Sequence, residues 1–219
     1  MKPQLLAFCI LQIALCSVIG NDVEIVQGPL KENGGNLDIR KVLITNESLW
    51  LYQETYENGF NACSRTRCIY ETEECIRIQM TNYSDTQYNF TLSMILNDTP
   101  VNDSYFGTFA NDTNPPKSLV LRDPLGGEKE VLLTLGYTDE LNQTCSVFMI
   151  NSLGPILTTF LGTCEMYIRG EYPPEPSSGC KEFFQNRCNI TRVYQPYTEK
   201  CKGAKNSVFN TDKKNEIIN

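Results

Sequence analysis

The chain has 219 residues, with 26 acidic and 19 basic side chains, a net charge of −7, ten Cys and no His. Without an imidazole there is no Ser-His-Asp or Cys-His catalytic unit, no His-ligated zinc or haem, and no His pH switch. The acidic balance argues against a nucleic-acid binder, which needs a surplus of Lys and Arg, while 41% hydrophobic and 21% charged residues fit an ordinary globular protein.

The first twenty residues read as a secretory signal. Lys2 supplies the positive start, and Leu5 to Leu15 is an apolar run broken only by Gln12, too short to span a bilayer. Cleavage is expected after Gly20, before the polar pair Asn21-Asp22. No later stretch is apolar enough to cross a membrane. One domain is expected over residues 21–201, followed by a polar, loose tail at 202–219.

Asn21 to Gly35 is broken by Gly28-Pro29 and Gly34-Gly35, and Asn36 to Leu43 fits a short helix with Asn36 as its cap. Strands are then predicted at Leu49–Tyr56, Cys68–Met80, Tyr88–Met94, Ser118–Leu121, Lys129–Gly136, Thr144–Ile150 and Thr158–Arg169. The clearest is Tyr88–Met94, where apolar residues alternate and Asn89 points to the other, wet face. Turn signals separate the strands at Asn58-Gly59, Asn97-Asp98, Asn114-Pro115-Pro116, Gly126-Gly127 and Gly154-Pro155. A short helix follows over Ser177–Cys188, capped by Ser177 or Ser178, with Phe184 and Cys188 on one face. The fold class is therefore all-β with minor α. Roughly eight short strands and one packed helix give a lipocalin-like, eight-stranded antiparallel barrel with a short N-terminal helix and a C-terminal helix.

Removing the signal removes Cys9 and Cys16. Cys63, Cys68, Cys75, Cys145, Cys164, Cys180, Cys188 and Cys201 remain, an even count that reads as four disulfides in an exported chain. There is no CxxC pair, so no metal or cofactor is expected. Glycosylation sequons at Asn46, Asn82, Asn89, Asn97, Asn102, Asn111, Asn142 and Asn189 agree with a secreted, extracellular protein. Five of them crowd between Asn82 and Asn111 and mark a solvent-facing side.

Two segments resemble the tick salivary lipocalins of the histamine-binding-protein family. Leu49-Trp50-Leu51-Tyr52-Gln53-Glu54-Thr55-Tyr56-Glu57 is similar to that family's first strand, and Cys68 fits the spacing to the next cysteine better than Cys63. Cys145-Ser146-Val147, Glu165-Met166-Tyr167 and Cys180 follow the pattern of amine-binding members, with Ser146 where an acid is usual and Met166 where a branched aliphatic is usual. The resemblance implies disulfides Cys145–Cys180 and Cys68–Cys201, with Cys63, Cys75, Cys164 and Cys188 forming two more whose partners stay open.

The last predicted strand has two candidate faces. Thr159, Leu161, Thr163, Glu165, Tyr167 and Arg169 share one; Phe160, Gly162, Cys164, Met166 and Ile168 share the other. Periodicity favours the second, more apolar face as the barrel interior. The resemblance puts Glu165 inside instead, as a carboxylate for a ligand ammonium beside Tyr167, with cation–π support from Tyr56 or Trp50. Core packing is the competing reading of Trp50, and an internal Arg such as Arg77 could pair with Glu165 without any ligand. The expected function is a monomeric barrel that sequesters a small host mediator, either a histamine- or serotonin-type amine or a lipid mediator such as a leukotriene. Loss of the acid at Ser146 shifts weight toward the lipid. The alternative is an immune or complement modulator that binds a host protein through surface loops. No nucleophile–base pair, metal cluster or phosphate loop points to an enzyme.

Overall fold

The computed structural model describes residues 37–64, 67–111, 113–122, 130–153, 162–171, 173 and 175–202. The signal segment, Asn36, Gly126-Gly127, Gly154-Pro155, residues 158–161 of the last predicted strand and the tail beyond Lys202 lie outside these.

Nine antiparallel strands follow a short helix α1 (Ile39–Leu43): β1 (Leu49–Glu54), β2 (Gly59–Ser64), β3 (Arg67–Tyr83), β4 (Gln87–Leu96), β5 (Thr99–Phe109), β6 (Ser118–Arg122), β7 (Glu130–Thr138), β8 (Cys145–Ser152) and β9 (Cys164–Arg169). Helix α2 (Ser178–Arg187) comes last, before a 3-10 turn at Glu199–Lys202. The hydrogen-bonded order β1-β9-β8-β7-β6-β5-β4-β3 closes on itself through β1 and β3, giving the expected eight-stranded barrel. β2 stands apart from it, paired only with the overhanging start of β3.

Local chemistry explains the joints. Asn97 and Asp98 both adopt positive φ and make the two-residue turn between Leu96 and Thr99, the geometry that best matches strand twist. Asp38, rather than Asn36, caps α1, its carboxylate accepting from the Arg40 backbone N–H. Ser177 caps α2 by accepting from the Cys180 N–H at 3.1 Å. Gly136 allows α2 to lie close on β7, because a Cβ there would stand 2.8 Å from the Phe183 ring. Strands β2 and β5 were not anticipated; in β5 the polar Asp103 interrupts the apolar series Val101, Tyr105 and Phe109.

The apolar residues divide into two cores. The first fills the barrel around Leu51, Ile78, Phe90, Leu119, Leu133 and Phe148, with α1 packed against it through Ile39, Val42 and Leu43. The second lies outside the barrel wall, where Trp50, Tyr52, Met166 and Ile168 pack under α2 and the C-terminal segment. Three disulfides sit in this outer core: Cys75–Cys201, Cys145–Cys180 and Cys164–Cys188.

The fourth disulfide, Cys63–Cys68, corrects the expected Cys68–Cys201 pairing. The β2–β3 hairpin is interposed between β1 and the barrel part of β3, so Cys68 lies in the overhang directly across from Cys63. Cys75, further along, is the cysteine that reaches Cys201. Seven of the eight sequon asparagines are exposed and Asn89 is half-buried. Asn82 and Asn89 face each other across β3 and β4. Tyr88 and Phe90 flank Asn89 and point into the barrel, as the alternation predicts.

Candidate functional site

The barrel encloses a cavity of about 620 Å3. Its wall is apolar along β4 to β8, with Phe90, Leu92, Leu119, Leu133 and Ile150, and Leu43 of α1 also lines it. Charge enters from the other side: Glu165 on β9 and Glu73 on β3 reach the lining, with Tyr56, Thr163 and Tyr167 beside them. Arg122 reaches the lining from β6 and pairs with Glu130 at 2.9 Å.

Glu165 and Tyr167 therefore face inward, against the preference set by periodicity. The more apolar face of β9 is buried too, but in the outer core, where the C-terminal segment covers Cys164, Met166 and Ile168. Both faces of this strand are dry, so alternation cannot tell inside from outside. Tyr56 donates its hydroxyl to Glu165 Oε1, and Tyr167 donates to Oε2 at 3.0 Å. Phe148 meets the Tyr167 ring edge-on at 5.7 Å.

Two acids beside Glu165 escaped the sequence. A bulge between Leu51 and Gln53 shifts β1 by one residue, so Glu54 pairs with Glu165 on the inner face. The Glu54 backbone exchanges its hydrogen bonds with Tyr194, so the Glu54–Glu165 pair is not hydrogen-bonded through its main chain and its side chains lie close. A second bulge, between Glu74 and Arg77, holds Cys75 at φ 53° and turns Glu73 inward. Glu74 points out, toward Lys200 at 3.7 Å. No residue-type signal marks either bulge, so simple alternation puts Glu54 and Glu73 on the wrong face.

Among the described residues no ion pair reaches Glu54, Glu73 or Glu165. Glu54 is 1% exposed and its Oε1 has no hydrogen-bond partner there. Burial, and next the charge of Glu165, push its carboxyl up to about 8. Burial also raises Glu165 despite the two tyrosine hydrogen bonds, and raises Glu73. Arg77 is not their partner: its guanidinium lies 5.4 Å over the Trp50 ring, on the outer side. A cluster of one buried and two half-buried carboxylates without a cation attracts one.

Trp50 does not line the cavity. It belongs to the outer core, donating Nε1–H to the Gly170 carbonyl at 3.0 Å and meeting Tyr197 edge-on. Its place in the expected ligand set is corrected accordingly, since β1 alternates and Leu49 and Leu51 take the inner face. Ser146 does lie on the inner face, opposite Tyr167, and its hydroxyl is satisfied by Thr138 at 2.8 Å.

A closed eight-stranded barrel with a hollow core, a helix against its interior and a second helix outside is a lipocalin. The chain belongs to the tick histamine-binding protein family, whose pattern matches residues 29–203. A search of curated proteins found no match. Among solved structures, AM182 in complex with serotonin shares the fold, with TM-score 0.51 and 16% identity over 77% of this chain and 95% of that one. Japanin from Rhipicephalus appendiculatus, bound to cholesterol, aligns with TM-score 0.46 and 14% identity over 73% and 98% of the two chains.

Proposed function

We propose that this protein is exported into tick saliva and sequesters a biogenic amine of histamine or serotonin type, blunting host inflammation and haemostasis. The observation that carries the reading is the Glu54–Glu165 pair, a buried and a half-buried carboxylate side by side with no cation against them among the described residues. Glu165 accepts the ligand ammonium, Tyr56 and Tyr167 orient its carboxylate, Glu73 adds negative potential, and Glu54 adds more once the bound ammonium favours its ionised form. The family's name points the same way, and four disulfides with exposed sequons suit an extracellular protein. It acts by stoichiometric capture rather than turnover.

Isothermal titration of deglycosylated protein with histamine and serotonin tests this. Glu165→Gln keeps the side-chain shape and removes the charge. Affinity should fall roughly ten- to hundredfold, the range for a charged hydrogen bond. Unchanged amine affinity in Glu165→Gln would sink the proposal.

A further inference from the structure

The cavity is lopsided in chemistry and too large for its charged corner alone. The acids of its lining, Glu73 and Glu165, come from β3 and β9, and Glu54 of the neighbouring β1 pairs with Glu165. Glu54 ends β1 and Glu165 stands second on β9, both remote from α1. That helix meets the opposite end of these strands, where Arg169 donates to the Val42 carbonyl. The facing wall of β4 to β8 is apolar apart from Arg122 and the hydroxyl of Tyr105, and Leu43 continues that surface to α1. On the inner face of β8 near α1, Ser146 supplies a neutral hydroxyl, 2.8 Å from that of Thr138, rather than a carboxylate as a second anchor for a cation.

A one-ring amine held at Glu165 leaves most of the 620 Å3 and its apolar wall uncovered. A fatty acid covers the wall, but its carboxylate meets Glu73 and Glu165, and the cation in the lining, Arg122, is already paired with Glu130. Only a ligand with a cationic head and an extended hydrocarbon body uses both halves. The buried, unpartnered Oε1 of Glu54 marks the corner where the head belongs.

We infer that the preferred ligand is an amphiphilic primary amine, of the sphingoid-base kind, with its ammonium on Glu165 and its chain laid along the wall of β4 to β8 toward Leu43. This rests on the amine reading above and specifies the rest of the molecule.

The test is titration of the deglycosylated full chain with n-alkylamines from butylamine to dodecylamine, below their micelle concentrations, beside the matching alkanols and fatty acids. Affinity for the amines should rise about two- to fourfold per methylene until the chain reaches α1. Each amine should bind more tightly than its alkanol, and Glu165→Gln should erase that difference while leaving the length dependence. Leu121→Phe, which narrows the wall without touching the acids, should shorten the optimal chain. If butylamine, histamine and serotonin bind but added length gains nothing, the amphiphile inference is wrong and amine capture stands. If alkanols or fatty acids bind as tightly as the amines in the native protein, both readings are wrong.

Discussion

The inner face of β9 carries Glu165 and Tyr167 to a cavity, whereas its outer face presses Cys164, Met166 and Ile168 into a seam beneath Trp50, Tyr197 and α2. The two surfaces are one strand apart in thickness and opposite in construction. The seam is aromatic and held by three disulfides; the inner face has none among the described residues and carries a void lined by Glu73 and Glu165, with Glu54 beside them. The difference teaches where the fold keeps its stability. Cross-links on the outside fix the backbone of β3, β8 and β9, so the inside can hold groups that on their own favour unfolding.

The largest expected effect breaks the seam. Cys75–Cys201 spans 126 residues, and removing it by Cys75→Ser with Cys201→Ser should cost about 5 kcal/mol in the chain-entropy account. Removing Cys63–Cys68, which spans 5 residues in a hairpin outside the barrel, should cost only about 2 kcal/mol. Urea denaturation of the two double variants measures the contrast. Equal losses would mean that the seam is not the anchor.

The next effect belongs to the interior. Glu54 rises from 4.5 to about 8 in the fold, so between those values the folded state binds more protons than the unfolded chain. Stability therefore falls as pH rises through that window and levels off above it. Glu165, also raised, acts with the same sign. Thermal melts from pH 5 to pH 8.5 should show the decline, and Glu54→Gln should flatten it. An ammonium bound at Glu165 also favours ionised Glu54, so amine binding at pH 7 should release a proton. Titration heats in buffers of different ionisation enthalpy should show that release in the native protein and a smaller one in Glu54→Gln, where Glu165, also raised, is left to ionise.

The smallest effect separates the two regions. Trp50→Phe removes the hydrogen bond to Gly170 and part of the contact with Arg77, which should cost about 1–3 kcal/mol of stability. Amine affinity should stay within about twofold. A large loss of affinity would show that seam and cavity are coupled.

Much of the seam and the frame was legible in the sequence. The alternation of Tyr88, Phe90 and Met94, the Ser177 cap and Phe184 all report local physics that a single chain displays. The resemblance supplied Cys145–Cys180. The pairing of Cys75 was hidden by the intervening hairpin, whose partner strand β2 shows no clean alternation. Glu165 and Tyr167 were placed inside by the resemblance, against the periodicity, with Tyr56 as an aromatic neighbour, and all three reach the lining. Glu54 and Glu73 could not be placed, because their orientation depends on register shifts that no composition or period announces. Trp50 was misplaced for the converse reason: an aromatic next to a pocket strand looks the same whichever face it takes.

The two bulges make the charge inside this barrel a question of counting. One residue added between Tyr52 and Gln53, with the bulge kept, would turn Glu54 outward and bring Gln53 in, with every glutamate still present in the chain. One residue added between Glu74 and Cys75 would likewise exchange Glu73 for Glu74. Within a lineage, then, a one-codon insertion in a strand can change the charge offered to a ligand as much as replacing the acid itself. Two relatives with the same acidic residues but different strand lengths would present cavities of different charge.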